Sequence, residues 1–131
     1  MLLTRVVTLV TGLGLSASAH GTATHYPLTL ENCGTPLTVE RAPARAVTIG
    51  QAGTEMLYAL GLGDKLVGTS LWFNNVSDTY KAQNDKVERL ADNDPSFEAV
   101  IGKRPELVAV QLEWMVGPQG VVGTREQFHE L

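Results

Sequence analysis

The feature that most constrains the fold of this chain is the alternation of short apolar runs with helix-like segments along residues 45–111. Apolar runs at 46–49, 66–69 and 107–110 have the length and composition of buried β-strands. Strands that alternate with helices pair in parallel, because each crossover returns the chain to the same end of the sheet. The order of segments therefore predicts an α/β fold with a mainly parallel sheet flanked by helices, and residues 87–90 fit a further strand at its edge.

Local residues predict where the first helix of this fold begins and ends. Thr54 is a suitable N-cap, because its hydroxyl can accept a hydrogen bond from a free backbone N–H. Met56, Leu57 and Leu60 share one face of the helix, which we expect to be buried. Gly61 then ends the helix in the left-handed conformation that glycine adopts at little cost.

The helix before the third strand is predicted to start at Asp94-Pro95, an N-cap residue followed by proline in the first turn. Phe97, Val100 and Ile101 follow at the spacing of a buried helical stripe. We therefore expect a short helix whose apolar face packs on the sheet.

Two further elements are predicted nearer the ends of the chain. Residues 28–30 and 37–39 are short β-like runs about a turn at 33–36, which predicts a β-hairpin that precedes the α/β part. Thr124 can cap a last helix over residues 125–131.

The first 19 residues have the features of a signal peptide in the expected order. Arg5 is their only charge, an apolar run follows at 6–15, and Ala17-Ser18-Ala19 has the small-x-small cleavage pattern. The run is much shorter than the ~20 apolar residues of a membrane span. We predict that residues 1–19 are cleaved after Ala19 and that the chain is secreted to the periplasm or the cell surface.

Composition narrows the class of partner. Fourteen acidic against ten basic residues give a net charge of −4, without a basic patch, so we expect no nucleic-acid partner. The single Cys33 excludes an internal disulfide and a CxxC site. We expect a monomer.

Catalytic and cofactor motifs are absent from the sequence. Gly61-x-Gly63 follows a helix and lacks the third glycine of a dinucleotide fingerprint, and neither a phosphate-binding GxxxxGK[ST] loop nor a Gly-x-Ser-x-Gly elbow occurs. The three histidines have no metal-ligand spacing. Asp92, Asp94 and Glu98 fit helix caps and a solvated first turn as well as a paired-carboxylate site. We predict no enzyme, no catalytic residues, no metal site and no cofactor.

The loops that follow the predicted strands are the candidate ligand site, because ligands of open α/β sheets bind outside the carboxyl ends of the strands. Both tryptophans of the chain lie in these loops, where a large aromatic side chain suits stacking on a large planar or partly apolar ligand. The alternative is that each tryptophan folds back over the sheet edge as a packing residue. The predicted ligand-binding residues are Gln51, Trp72, Phe73, Gln111, Glu113 and Trp114.

Several segments together carry a resemblance to a known protein family. The segments are RAVTIG at 45–50, TEMLYALG at 54–61, NCG at 32–34, DPSFEAV at 94–100 and RPELV at 104–108. In this order they resemble the helical-backbone class of ABC-transporter solute-binding proteins, of the type that binds iron–siderophore, haem or cobalamin.

The resemblance implies a fold, a function and partners. It implies two Rossmann-like lobes joined by one long helix with the ligand between them, and residues 20–131 correspond to the N-terminal lobe, without the linking helix and the C-terminal lobe. It implies the substrate-binding component of an ABC importer for a small-molecule metal chelate, with an ABC permease in the inner membrane as partner. An acidic residue on each lobe docks on arginines of the permease, and Glu98 matches that position here.

A second class of function stays open at this point. A secreted α/β enzyme or a metal chaperone with an unrecognised site would have the same composition and the same order of elements. Bound zinc or copper, or any turnover, would favour this second class.

Overall fold

The structure, a computed structural model, describes residues 22–130. The chain divides into two units between Glu40 and Arg41. The predicted signal peptide at 1–19 lies outside the described residues, as does Leu131. Across residues 22–130, no helix has the length and apolar character needed to cross a membrane.

The first unit contains a β-hairpin, as predicted. Strands β1 (Leu28–Asn32) and β2 (Thr35–Val39) are antiparallel and are joined by a two-residue turn. Cys33 and Gly34 both have positive φ, 51° and 79°, as the tight turns that match the twist of a hairpin require. The predicted turn at 33–36 is too long, because its last two residues pair with β1.

The second unit contains a four-stranded sheet. Its strands are β3 (Ala46–Ile49), β4 (Leu66–Ser70), β5 (Arg89–Ala91) and β6 (Leu107–Val110). The order across the sheet is β5-β4-β3-β6 and every pair is parallel. The predicted α/β fold with a parallel sheet, an edge strand and a preceding hairpin is confirmed.

In the described part of the chain, four short helices connect and flank these strands. They are α1 (Gln51–Ala59), α2 (Lys81–Asn84), α3 (Phe97–Ile101) and α4 (Arg125–His129). Single 3-10 turns lie at Gly63–Lys65 and Glu113–Met115.

The two faces of the sheet pack against different helices, because side chains alternate along β3. Val47 and Ile49 lie in an apolar cluster with Val100 of α3 and Met115, all of them fully buried. Ala46, on the other face, packs with Tyr58 of α1. β3 is therefore covered on both faces, which explains why all four of its residues are buried and three of them are apolar.

The buried face of α1 differs from the predicted one. The helix begins at Gln51, so that Thr54 lies within it and is no N-cap. Its buried side chains are Thr54 and Tyr58, one turn apart. Of the predicted face, Leu57 is half-buried beside Tyr58, whereas Met56 and Leu60 are exposed. The reason is that the sheet under α1 presents hydroxyl groups, so that a small polar residue of the helix fits there better than a long apolar one.

The caps of the two later helices confirm one prediction and correct another. Ser96, not Asp94, is the N-cap of α3, since its Oγ accepts a hydrogen bond of 3.1 Å from the N–H of Ala99. Thr124 caps α4 as predicted: its Oγ1 accepts from the N–H of Gln127, whose Oε1 accepts in return from the N–H of Thr124. This reciprocal pair satisfies two free donors at the start of α4.

A carboxylate clamp holds the segment that leads into β3. Arg41 Nη2 donates to Glu106 Oε1 at 2.5 Å, and the N–H of Ala44 donates to Glu106 Oε2 at 2.6 Å. The Arg41 guanidinium and then the Ala44 N–H hold the pKa of the Glu106 carboxyl below its usual value, and the same pair raises the pKa of Arg41.

We expect this clamp to make the stability of the fold decrease as the pH is lowered. Because the pKa of Glu106 is lower in the folded than in the unfolded chain, its ionised form stabilises the fold at neutral pH. That contribution is fully present above the ordinary pKa near 4.5 and is lost as the pH falls through the folded value. Glu106→Gln should therefore lower the melting temperature at pH 7 and have a smaller effect near pH 3. Arg41→Gln is the partner variant and should follow the same pattern; an equal loss at both pH values would contradict the clamp.

Candidate functional site

The four parallel strands end at one edge of the sheet, which we call the carboxyl edge. It consists of the strand ends Ile49, Ser70, Ala91 and Val110 and of the residues that leave them. Backbone hydrogen bonds extend the pairing beyond the strands: Gln51 N–H donates to Leu71 O at 3.0 Å and Gln111 N–H to Ile49 O at 2.9 Å. The start of α1 is thus held beside the two loops that flank it.

The start of α1 is shaped by a glycine and a glutamine. Gly50 has a φ of 132°, which glycine adopts far more readily than any other residue. A Cβ placed on Gly50 would lie 2.3 Å from Gln111 Cβ, so the two residues are in close contact. Gln111 Oε1 accepts from the N–H of Ala52 at 3.2 Å, which satisfies a free donor of the first helical turn. The side chain of Gln111 therefore caps α1, a role that the sequence did not indicate.

Gln51 ties the loop after β4 to the same helix. Its Oε1 accepts from the N–H of Asn74 at 3.1 Å, and its Nε2 donates to Glu55 Oε1 at 3.1 Å. Glu55 in turn accepts from the N–H of Ser77 at 3.4 Å. Gln51 lies at the predicted edge, with much of its hydrogen-bonding capacity used to hold the loop.

Trp72 is only half-exposed at this edge. Its Nε1 donates to the hydroxyl of Thr69 at 3.1 Å, and the guanidinium carbon of Arg89 lies 4.9 Å from the ring centroid. Arg89 is also paired with Asp92 at 3.2 Å. Most contacts of Trp72 therefore fit a tryptophan that packs over the sheet edge. Arg89 adds a cation to this edge that no sequence motif had indicated.

Two other predicted aromatic residues are exposed. Phe73 is 61% exposed and Trp114 is 53% exposed. Phe73 follows Leu71, a buried residue with a φ of 58° at which the chain turns out of the sheet. Trp114 lines a shallow depression with Gly117, Pro118, Gln119 and Val121. These side chains present apolar surface to the surroundings.

Glu113 lies beside Trp114 on the 3-10 turn that follows β6. Its carboxylate pairs with Arg125 of α4 at 3.1 Å, and both side chains are largely exposed. This pair fixes the turn relative to α4 and leaves Glu113 accessible. The structure thus brings Gln51 and Gln111 together at the start of α1. Trp72 lies in the neighbouring loop after β4, whereas Glu113 and Trp114 lie on the turn after β6.

Glu98 occupies the first turn of α3 and is exposed, as expected. Within residues 22–130 its carboxylate forms no ion pair. In the same part of the chain, no group of three or more His, Cys, Asp or Glu side chains is placed to hold a metal ion.

Comparison with known proteins agrees with this architecture. Residues 47–129, well over half of the chain, match the family described as periplasmic binding protein. An uncharacterized ABC transporter substrate-binding lipoprotein, YvrC of Bacillus subtilis, is 36% identical over 63% of this chain and 25% of its own length. The vitamin B12-binding protein of Photorhabdus laumondii is 36% identical over 58% of this chain and 25% of its own.

Solved structures are similar over a comparable part of their length. A periplasmic binding protein from Veillonella parvula has a TM-score of 0.66 and 28% identity, over 79% of this chain and 34% of that protein. An ABC-type Fe3+-hydroxamate transport system protein from Saccharomonospora viridis has a TM-score of 0.54 and 27% identity, over 64% of this chain and 32% of that protein.

The chain therefore spans about a quarter of these curated relatives and about a third of these structures. Its described fold corresponds to one α/β part of such proteins. As the resemblance of its segments predicted, the chain belongs to the periplasmic binding protein family, whose members are binding proteins rather than enzymes.

Proposed function

We propose that this chain acts as the substrate-binding component of an ABC importer for an iron–siderophore or a related metal chelate, such as haem or cobalamin. Three observations support this class: the family of the chain, the name of YvrC as an ABC transporter substrate-binding lipoprotein, and the ligands in the names of two relatives, vitamin B12 and an Fe3+-hydroxamate. In this proposal residues 20–131 form the N-terminal lobe, and the ligand lies between its carboxyl edge and a second lobe.

The observation that carries the ligand assignment is the exposure of Phe73 and Trp114 in loops beyond the strands. Large aromatic side chains in water are unfavourable, and a bulky chelate that covers them would remove that cost. Their faces can stack on a planar or partly apolar ligand. Glu113, exposed beside Trp114, can set the orientation of a polar group of the ligand.

The other predicted ligand residues have a different part in this proposal. Gln51 and Gln111 hold the loops and the start of α1, and each can still offer part of its amide to a ligand. Trp72 contributes the exposed portion of its ring beside Arg89. We assign Phe73, Glu113 and Trp114 to direct contact and the remaining three mainly to the shape of the edge.

The cellular setting of the proposal follows from the sequence. The chain is exported by a signal peptide cleaved after Ala19, acts as a monomer in the periplasm or at the cell surface, and docks on an ABC permease in the inner membrane through Glu98. Neither a resident cofactor nor nucleic acid has a part in this function.

Ligand binding is tested by tryptophan fluorescence of the secreted chain. We expect saturable quenching by at least one of cyanocobalamin, ferrioxamine B and haemin. Trp114→Ala should weaken that binding about three- to tenfold, the scale of one aromatic stacking contact. Leu60→Ala, which removes an equally exposed apolar side chain from the far end of α1, is the matched control and should bind normally.

N-acetyltryptophanamide corrects for absorption of light by the chelates. Zinc and copper salts without a chelator, with an assay for turnover, serve as the test of a metal chaperone or an enzyme. A complete lack of saturable quenching by all three chelates would contradict the proposed ligand face.

A further inference from the structure

Three fully buried hydroxyl groups meet beneath the carboxyl edge. They belong to Thr48 of β3, Thr54 of α1 and Thr69 of β4. The Oγ1 atoms of Thr48 and Thr54 are 2.7 Å apart, those of Thr54 and Thr69 are 2.7 Å apart, and those of Thr48 and Thr69 are 3.2 Å apart. The cluster thus joins the two central strands to the helix that covers them.

The direction of these hydrogen bonds follows from counting protons. Each hydroxyl has one proton to donate. Thr54 Oγ1 lies 3.0 Å from the carbonyl of Gly50, which can only accept, so the proton of Thr54 points to that carbonyl. Thr69 must then donate to Thr54, and Thr69 accepts in turn from the indole Nε1–H of Trp72, which can only donate.

The result is a chain of hydrogen bonds that runs from Trp72 through Thr69 and Thr54 to the carbonyl of Gly50. Hydrogen bonds in such chains polarise and strengthen one another in a water-free interior. Thr48 accepts no hydrogen bond from a member of this chain of hydrogen bonds; its hydroxyl only donates to it from the side. The chain connects the loop after β4, which carries Trp72, to the start of α1 after β3.

A purely apolar interface would not need these groups. Valine has nearly the shape of threonine, and replacing matched polar partners by apolar groups can leave stability almost unchanged. The indole N–H, in contrast, loses its acceptor if Thr69 becomes valine. The hydroxyls therefore serve a defined donor, and that donor belongs to a candidate ligand residue.

We infer that Thr69 and Thr54 are positioning residues that fix the orientation of the Trp72 indole relative to the start of α1. This inference rests on the proposed function in one respect only, namely that the carboxyl edge receives the ligand. The orientation of Trp72 itself can be measured without any ligand.

The first measurement follows the indole N–H signals of the secreted chain by 1H–15N NMR. The chain has two tryptophans, and Trp72→Phe assigns the two signals; the indole of Trp114 is the internal reference. Thr69→Val should move the Trp72 signal and speed its hydrogen exchange by about fivefold or more, the factor that corresponds to one net hydrogen bond. Thr69→Ser, which keeps the hydroxyl, should restore both.

Two further variants separate a directed chain from general loosening. Thr54→Val does not touch Trp72, yet it removes the acceptor of Thr69 and should move the same signal in the same direction. Thr48→Val removes an equally buried hydroxyl that only donates to Thr54 and Thr69, so both keep their own protons and acceptors, and it should move the Trp72 signal much less than Thr54→Val does. If Thr69→Val does not fold, Thr54→Val provides the same readout.

The second measurement repeats the fluorescence titration with cyanocobalamin, ferrioxamine B and haemin. Thr69→Val and Thr54→Val should weaken binding of the chelate that binds the unmodified chain by about fivefold, and Thr69→Ser should bind normally. An unmoved Trp72 signal in Thr69→Val, or an equal shift in Thr48→Val, would overturn the inference. Failure of all three chelates to bind would refute the proposed function and the ligand role of the chain, while the NMR result would still decide whether the threonines position Trp72.

Discussion

Gly50→Ala is expected to destabilise the chain by about 3 kcal/mol or more, whereas Gly53→Ala in the same segment should be neutral or stabilising. An alanine at position 50 meets two costs. Its φ of 132° lies where a side chain is strained by about 1–3 kcal/mol, and its Cβ would lie 2.3 Å from Gln111 Cβ, which adds overpacking of a further 1–3 kcal/mol or so. Relief of the clash would displace Gln111 from the N–H of Ala52.

Gly53 is the matched control because it lies in α1, three residues further on. A Cβ there would lie 3.9 Å from Thr48 Cγ2, an ordinary contact, and alanine favours a helix over glycine by up to about 1 kcal/mol. Urea denaturation of both variants measures the difference directly. Equal midpoints for the two variants would show that the close approach of Gly50 and Gln111 is not a constraint.

The strands of this fold could be predicted from the sequence because each one is a compact apolar run. Residues 46–49 and 107–110 match the observed strands, since three of the four residues of β3 and all four of β6 are apolar. The predicted strand at 87–90 is shifted to Arg89–Ala91, because Glu88 and Arg89 interrupt the apolar run and leave its ends poorly marked.

Helix boundaries were harder to predict because they depend on what the helix packs against. The apolar spacing of Met56 and Leu60 suggested a buried face, yet the sheet below α1 presents Thr48 and Thr69, and Thr54 of the helix turns toward them. For α3 the sequence predicted Asp94 as the N-cap, and the path of the chain places Ser96 in that position instead. Local propensity leaves such choices to tertiary contacts.

In the candidate site, too, the features set by the order of elements could be predicted, and those set by tertiary contacts could not. The sequence correctly located the loops at the carboxyl ends of the strands, since that follows from the order of elements alone. It could not show that Gln111 caps α1 or that Arg89 covers Trp72, because these contacts join residues far apart in the chain. The polar Thr48 and Thr69 within core strands were the one local signal of the buried hydroxyl cluster.

Glu98→Ala is expected to leave chelate affinity unchanged and to weaken binding to the permease by tens-fold or more. Truncation of one partner of a desolvated charge pair at an interface costs about 2–5 kcal/mol. An energy of this size corresponds to a loss of affinity of about thirtyfold or more. Glu98 is exposed and has no ion pair within residues 22–130, so its carboxylate is available to an arginine of a partner. Glu98→Gln keeps the shape of the side chain and removes only its charge. It should weaken docking as much as Glu98→Ala does, because docking depends on the charge.

The chain contains a close control for this experiment. Glu126 is the second residue of α4, as Glu98 is of α3, and both helices have a hydroxyl N-cap. Both glutamates therefore interact favourably with the positive end of a helix dipole. Glu126→Ala should lose that interaction and retain docking.

The measurement is co-sedimentation of the secreted chain with inner-membrane vesicles that contain the permease, together with chelate uptake by the host carrying each variant. Docking through Glu98 should weaken as salt is raised, since dissolved ions screen the attraction between the two surfaces before they meet, over about 10 Å at 0.1 M ionic strength. Uptake and vesicle binding at the unmodified level in Glu98→Ala would refute the docking role. Equal losses in Glu98→Ala and Glu126→Ala would instead assign the effect to helix stability. The difference between the two variants should be sought at low salt, where the attraction between exposed charges is strongest.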